Sequence, residues 1–436
     1  MSSDTIYALS SGALPSGVAV IRLSGGQAFA ACAAIAGKVP EPRRAQLMSL
    51  RDADGLTIDK ALVLAFQGPA SFTGEDCIEL HLHGGRAVVR AMLHCLSAMP
   101  GLRHAEAGEF TRRAFENGKL DLVEAEGLSD MISAETEMQR RLAMEQANGG
   151  LSKLYEGWAE RLTHARAMIE AELDFSDEED IPGSVSATIW AEVTRISDAI
   201  QAHLEGSRAG EIIRDGYRVV IAGPPNAGKS SLLNALARRE VAIVTEIAGT
   251  TRDVLEVNLD IGGYAVRLCD TAGLRDSADL VEVEGVRRAR ALLAEADLVL
   301  SLADVRSGTP PEDFSGDVLA IGTRIDEGGE YDPFPYDLVI SSRTGEGMDA
   351  LVEAIGERLA VRLGSASFSL PVRDRQIGYL RQTLGHIGEA IERRDASPEI
   401  PAESLRAAAL SLGRITGRVD VENLLDVIFS SFCVGK

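Results

Sequence analysis

The sequence predicts a multidomain protein of class α/β and α. It should have an N-terminal α+β domain, a central helical domain, and a doubly wound α/β domain with a phosphate-binding loop, inserted into the helical one. Three observations predict this. A chain of 436 residues has room for roughly three domains. Residues 213–364 alternate strand-length apolar runs with helical patterns, as a doubly wound sheet requires. Residues 119–212 are rich in Ala, Glu, Leu, Arg and Met at helical spacing, and residues 371–436 return to the same pattern. An insert whose two ends lie close together accounts for both helical stretches. The expected domains are therefore 1–118, then 119–212 with 365–436, and the insert 213–364.

Element by element, Val18–Leu23 and Ala61–Phe66 read as strands, and Phe29–Ile35 and Ala87–Met99 as helices. Leu122, Ala125, Leu128, Ile132 and Leu142 form one helical stripe, and Leu162, Ala165, Ile169 and Leu173 another. An acidic run, Asp174 to Asp180, closed by Pro182 and Gly183, reads as a solvated connection. In the insert, Tyr217–Ala222, Ala265–Cys269 and Val318–Ile321 read as strands, and Ser231–Ala237 as a helix.

Composition narrows the class. Hydrophobic residues make up 45% of the chain but aromatics only 5%, so the cores must be built from Leu, Ile, Val and Ala. No apolar run reaches the length of a membrane span, and Met1–Ser10 has no basic and apolar leader pattern. Cys32, Cys77, Cys95, Cys269 and Cys433 are scattered without metal-ligand spacing, which fits a reduced, cytoplasmic setting. The net charge is −22, and residues 119–212 alone carry 8 basic and 20 acidic side chains. Such a chain is a poor non-specific binder of nucleic acid, since phosphate contacts need Lys and Arg. Any RNA contact should come from a local patch or a partner.

The strongest chemical signal begins at Gly223 and runs through Asn226, Ala227, Gly228, Lys229 and Ser230 into Ser231. It matches GxxxxGK[ST] between a strand and a helix, the context that this motif needs. Its glycines admit phosphate oxygens to backbone N–H groups at a helix N-terminus. Lys229 supplies a charge to the terminal phosphates, and Ser230 a ligand for magnesium. Gly249-Thr250-Thr251-Arg252-Asp253 follows; a Thr there can reach the metal and the terminal phosphate. Asp270-Thr271-Ala272-Gly273 closes the strand that ends at Cys269. Its Asp can hold the metal through water, and its Gly N–H can bond the phosphate. Thr323-Arg324-Ile325-Asp326 stands where guanine-specific GTPases carry Asn-Lys-x-Asp. Asp326 would accept the guanine ring N–H and exocyclic amine, which adenine does not offer. Arg324 has a planar head that could lie over the base. Thr323 loses the Asn amide, so guanine preference should survive with weaker affinity. Ser341-Ser342-Arg343 resembles the Ser-Ala-Lys loop that touches the base edge. Leu274 stands where Ras-like enzymes place a water-orienting Gln, so hydrolysis must recruit another group.

With these motifs in this order, the chain is similar to the bacterial tRNA uridine-modification GTPase family, MnmE or TrmE, over nearly its whole length. The N-terminal segments that carry the likeness are Phe72 to Asp76, His83 to Gly85, Gly108 to Phe115 and Asn117 to Leu122. The tail Phe432-Cys433-Val434-Gly435-Lys436 matches the family's Cys-x-Gly-Lys end; Thr323-Arg324 departs from its pattern. The resemblance implies GTP hydrolysis coupled to formation of an aminomethyl or carboxymethylaminomethyl group on the tRNA wobble uridine. It implies a flavin-dependent partner protein and a one-carbon unit from a folate.

It also implies a site. Potassium would sit on Asn226, Thr245, Ile247 and Thr250, with Glu246, Ala248 and Gly249 in the same nucleotide-binding loop, in place of the missing Gln. Glu282 would organise the attacking water through a second water. The insert would dimerise across the nucleotide, and the N-terminal domains would dimerise and bind 5-formyl-tetrahydrofolate through Arg22, Glu79, Lys119 and Lys436. Cys433 would assist the chemistry or be a near-terminal bystander. Two other readings stay open on the residues alone: a switch that docks on ribosomal RNA during ribosome assembly, and an ATPase. The neutral or acidic flanking domains count against the first, and Asp326 with the GTTRD segment against the second.

Overall fold

The structure, a computed structural model, describes residues 4–174, 185–239, 241–243, 256–270, 287, 290–307, 309–328, 334–364, 368–419, 422–430 and 432–435. Two units organise the chain: Met1–Ser129 with Ser152–Glu160 and Ala409–Lys436, and Asp130–Leu151 with Arg161–Ala408.

The first unit begins with β1 (Thr5–Leu9), β2 (Ser16–Ser24), α1 (Ala28–Ala36), β3 (Gln46–Arg51), β4 (Thr57–Phe66), β5 (Cys77–Gly84), α2 (Arg86–Ser97), β6 (Leu102–His104) and α3 (Glu109–Glu116). These make a six-stranded sheet in the order β3-β4-β5-β2-β1-β6. Every pair is antiparallel except β1 with β6. The strands alternate as half-buried strands must. Ala19, Ile21 and Leu23 of β2 and Ile78, Leu80 and Leu82 of β5 enter a core closed by Ala31, Cys32 and Ile35 of α1 and Val89, Met92 and Leu96 of α2. The expected strands fall inside β2 and β4 and the first expected helix inside α1; the second, expected over Ala87–Met99, is α2, which ends two residues earlier at Ser97.

Helices follow: α4 (Leu122–Ser133), α5 (Glu137–Ala147), α6 (Gly150–Asp174), α7 (Val185–Glu205) and α8 (Ser207–Asp215). The stripe expected from Leu122 to Leu142 is not one face of one helix. It breaks between α4 and α5, where Thr136 caps α5 in a reciprocal box with Gln139. Leu122 and Ala125 pack with Leu425 and Phe429. Leu142 packs into the core of the insert. Ile132 is left 44% exposed, so it anchors neither cluster. In the second stripe, Leu162, Ala165 and Ile169 are buried along α6. The acidic run beyond Asp174 lies outside the described residues.

The insert contributes β7 (Tyr217–Ala222), α9 (Lys229–Ala237), β8 (Glu256–Ile261), β9 (Tyr264–Asp270), β10 (Leu298–Asp304), β11 (Val318–Thr323), β12 (Leu338–Ile340) and α10 (Met348–Leu363). The chain ends with α11 (Asp374–Glu392), α12 (Glu399–Thr416) and α13 (Glu422–Ser430). The insert's sheet runs β12-β11-β10-β7-β9-β8. It is parallel except for the β8–β9 hairpin. Being covered on both faces, its strands read as near-continuous apolar runs. Val219 and Ile221, Leu298, Leu300 and Leu302, and Leu319 and Ile321 are buried in one core with Leu351, Ile355 and Leu359 of α10. Helix α5 belongs to this body. Met138 N donates to Gly263 O in the hairpin turn at 3.0 Å, and Gln139 Nε2 to Arg214 O at 2.9 Å. The strand order reverses at β7, and the carboxyl ends of β7, β9 and β11 lie on the edge of the sheet where open α/β folds bind ligands.

Candidate active site

The loop from Gly223 to Gly228 is shaped by its backbone. Gly223 has φ +139°, and a Cβ there would lie 2.3 Å from the carbonyl oxygen of Leu302 on β10. The strand-to-loop turn therefore lies against the neighbouring strand with no space for a side chain. Asn226 takes φ 66°, a conformation that Asn accepts more readily than most residues. Helix α9 starts at Lys229, so successive N–H groups and the positive end of the helix face the loop, a built anion site. Lys229 is buried and folds back over the loop, its Nζ 2.9 Å from the carbonyl oxygens of both Gly223 and Pro224.

β7 and β9 pair Ile221 with Asp270, which brings Asp270 beside this loop. Asp270 is fully buried and accepts a hydrogen bond from Ser230 Oγ at 2.9 Å. A hydroxyl and a carboxylate at that separation at the foot of a phosphate loop are hard oxygen donors, and they fit a magnesium ion. Ser231 is exposed one residue further along α9.

The base end is built from side chains. Thr323 is buried at the end of β11, and its Oγ1 donates to the carbonyl oxygen of Ala227 at 2.8 Å. The short hydroxyl thus ties β11 to the phosphate loop. Arg324 has φ 65°, and its Nη2 donates to the carbonyl oxygen of Asn226 at 2.9 Å. Its Nη1 lies 3.6 Å from Asp304 Oδ2. The guanidinium is therefore held at the loop. Asp326 follows in a 3₁₀ turn, Ile325–Glu327. Ser341 Oγ donates to Asp326 Oδ1 and Arg343 Nε to Oδ2, each at 2.6 Å. The Ser341 hydroxyl, and after it the Arg343 guanidinium, hold the Asp326 carboxyl below the usual carboxylate range. Ser341 is fully buried, and its Oγ also accepts Thr344 N. Ser342 beside it is half-buried.

The structure thus brings together Asn226, Ala227, Gly228, Lys229, Ser230 and Asp270 at one end, and Asp326, Ser341 and Arg343 at the other. Thr245, Glu246, Ile247, Ala248, Gly249, Thr250, Thr251, Thr271, Ala272, Gly273, Glu282 and Lys436 lie outside the described residues. Of the expected potassium ligands, only Asn226 is described.

On the N-terminal sheet, β2 and β5 set Arg22 opposite Glu79. Arg22 Nε and Nη2 both donate to Glu79 Oε1, at 3.1 and 2.9 Å. His81 lies 3.3 Å from the other oxygen, Oε2. The Arg22 guanidinium sits 5.3 Å from the Phe72 ring centroid and 5.8 Å from that of Phe110. A carboxylate and a guanidinium flanked by aromatic rings offer both donor and acceptor to a flat heterocycle, which fits a pterin-like ring. Lys119 is exposed just after α3. Cys433 is exposed on a tail held by the segment that leads into α3: its carbonyl accepts Gly108 N at 3.3 Å, and Val434 bridges to Ala107.

The N-terminal motifs also lock to one another. Arg113 donates to both Glu75 oxygens, at 3.3 and 3.2 Å, and to Glu109 Oε1 at 3.0 Å. Asn117 Nδ2 donates to Thr73 O at 2.7 Å. Sequence reasoning had not given a place to His81, Phe72, Phe110 or the Thr323 hydroxyl. For Thr323 the signal was a hydroxyl in a position that normally hydrogen-bonds through an amide.

Comparison with known proteins agrees with this geometry. A family model described as the MnmE helical domain matches residues 122–433, and one described as the GTP-binding protein TrmE N-terminus matches residues 5–119. The chain belongs to the MnmE family. A tRNA modification GTPase MnmE from Rhizobium meliloti (strain 1021) is 57% identical over 445 residues, covering 100% of each chain. One from Sinorhizobium medicae (strain WSM419) is 56% identical over 449 residues, covering 100% of this chain and 99% of that one. A third, from Brucella suis (strain ATCC 23445 / NCTC 10510), is 53% identical over 435 residues, covering 99% and 98%. The family's two matched regions meet near residue 120, and the nucleotide loop falls inside the second. Among the described residues, no helix is long and apolar enough to cross a membrane.

Proposed function

We propose that this chain is a GTP hydrolase that acts in tRNA modification. GTP hydrolysis is coupled to formation of the 5-(carboxymethyl)aminomethyl group on the wobble uridine, together with a flavin-dependent partner protein. The observation that carries the reading is the pairing of Ser230 with Asp270 beneath a loop covered by Lys229, in a chain similar to MnmE proteins along its full length. The domains divide at 1–118, 119–212 with 365–436, and 213–364, and the protein works in the cytoplasm as a homodimer.

The loop amides and Lys229 bind the terminal phosphates, and Asp326 selects guanine. Ser230 and Thr251 would ligate magnesium and Asp270 would hold it through water; the ion would neutralise phosphate charge. Asn226 with Thr245, Ile247 and Thr250 would hold potassium, which would supply positive charge in place of an arginine finger. Glu282 orients the attacking water. Arg22, Glu79, Lys119 and Lys436 hold the formyl-tetrahydrofolate that supplies the one-carbon unit.

Two experiments test this. GTP turnover should be much faster in potassium than in sodium, and equal rates would remove the cation assignment. Mass spectrometry of tRNA nucleosides from cells lacking the protein should show wobble uridines without the modification; unaltered nucleosides would overturn the pathway.

A further inference from the structure

Asp326 is the carboxylate that reads the base, and both of its oxygens are already engaged by the chain itself. Ser341 is buried, and its hydroxyl is anchored by a turn in which Gly345 N donates to Ser341 O at 2.9 Å. This donor is part of the scaffold. Arg343 differs. Its side chain is 75% exposed, and its contact with Asp326 Oδ2 is a charge-assisted hydrogen bond on an otherwise solvated arm. Guanine needs a carboxylate acceptor for its ring N–H and another for its exocyclic amine. A cationic donor at Oδ2 offers the same kind of contact from within the chain.

We infer that Arg343 is an internal competitor for the guanine base, and so a residue that sets how fast and how selectively the site accepts a nucleotide. The inference rests on Asp326 being the guanine reader. The other arginine of the base end, Arg324, is held at the phosphate loop through the Asn226 carbonyl and does not share this role. With Arg343 seated on Asp326, only the fraction of molecules in which the arm has swung away can accept the base. Apparent affinity is the intrinsic affinity scaled by that fraction. The effect lies in the association rate, because the bound base has already displaced the arm. An exposed ion pair sets the size: about a two- to fivefold change. Salt should shrink it, since screening loosens the pair.

The test uses the full-length protein and a fluorescent GDP analogue in stopped flow, with Arg343→Ala and Arg343→Lys beside the parent. Arg343→Ala should raise the association rate about two- to fivefold at low salt, leave the dissociation rate unchanged, and lose its advantage at high salt. Arg343→Lys, which keeps the charge without the planar fork, should fall between. An unchanged association rate, or a change confined to dissociation, would overturn the inference; the latter would mean that Arg343 touches the bound base. Asp326→Asn separates the two levels of the argument. If that variant keeps its preference for GDP over ADP, the assignment of Asp326 itself fails. If the preference is lost while Arg343→Ala gains nothing, only the competitor fails.

Discussion

In the insert, the phosphate loop holds its form through backbone: Gly223 pressed against the Leu302 carbonyl, Asn226 in a left-handed conformation, and Lys229 folded onto the carbonyls of Gly223 and Pro224. On the N-terminal sheet, Arg22 and Glu79 meet only because two strands pair in one register, 57 positions apart in sequence. The first arrangement is contiguous, and each residue type in it answers a local steric or electrostatic demand. The second is a long-range coincidence of register, and nothing in either strand's own residues announces it. The difference teaches where side-chain identity is legible. A loop that must cradle phosphates writes its geometry into neighbouring residues; a site made by strand pairing does not.

The same contrast explains how much of the molecule could be read in advance. The strand–loop–helix unit around Lys229, the β9 end at Asp270 and the β11 end at Thr323 were all legible, because buried parallel strands give continuous apolar runs. β1, β3 and β5 were not placed. Thr5–Leu9 is buried on both faces and shows no alternation, whereas Cys77–Gly84 carries the alternating signal, with Glu79, His81 and His83 between buried Ile78, Leu80 and Leu82, and was missed although that signal was present. The break between α4 and α5 was missed although its signal was present: Thr136 and Gln139 at capping-box spacing. The apolar stripe masked it, since Leu122 and Leu142 both look inward while serving different cores. At the base end, Asp326 was legible as a chemical type. Its pairing with Ser341 and Arg343 was not, because three separate chain segments build it.

Lys229→Ala should give the largest effect and is the strongest test of the backbone-built site. Among the described residues the lysine is the one buried cation over the loop, and its removal strips charge from the place where phosphate charge accumulates. Turnover should fall by about a hundredfold or more, with weakened nucleotide binding, read by GTP hydrolysis and GDP titration. Nearly parental turnover would mean that the amides alone suffice.

Next come the two glycines that mark the close approaches of the two regions. Gly223→Ala would put a Cβ 2.3 Å from the Leu302 carbonyl oxygen, and Gly435→Ala 2.1 Å from that of Leu9. Both sit at positive φ, +139° and +95°. Each should cost about 1–3 kcal/mol, but in different places. Hydrogen exchange should rise around β7 and β10 for the first variant. For the second it should rise in the tail and at β1, leaving nucleotide binding as it was. If the second variant also loses nucleotide, the two regions are less separable than their construction suggests.

Thr323→Val is smaller. It keeps the shape and deletes the hydroxyl that donates to Ala227 O, so stability should drop by about 1 kcal/mol in chemical denaturation. Thr323→Asn should recover GDP affinity at least to the parental level if the position tolerates the longer amide. A loss there would show that the site has been rebuilt around the shorter side chain.

The smallest stability effect is expected at the register-built pair, and it is the most informative about that region. Arg22 and Glu79 have side-chain exposures of 23% and 19%, so water still screens them, and such a pair contributes less than about 1 kcal/mol. Arg22→Lys keeps the charge and loses the fork that makes two contacts to one oxygen, along with the flat face beside Phe72. Thermal unfolding of the full-length protein should therefore shift little. Formyl-tetrahydrofolate binding, measured by calorimetry, should weaken by tenfold or so, about 1.4 kcal/mol, because a planar ligand loses its planar partner. A variant that binds the folate as well as the parent would assign Arg22 to the sheet alone: the strand register would then have produced an ion pair that only holds β2 to β5, and the folate contacts would have to be sought elsewhere on that face.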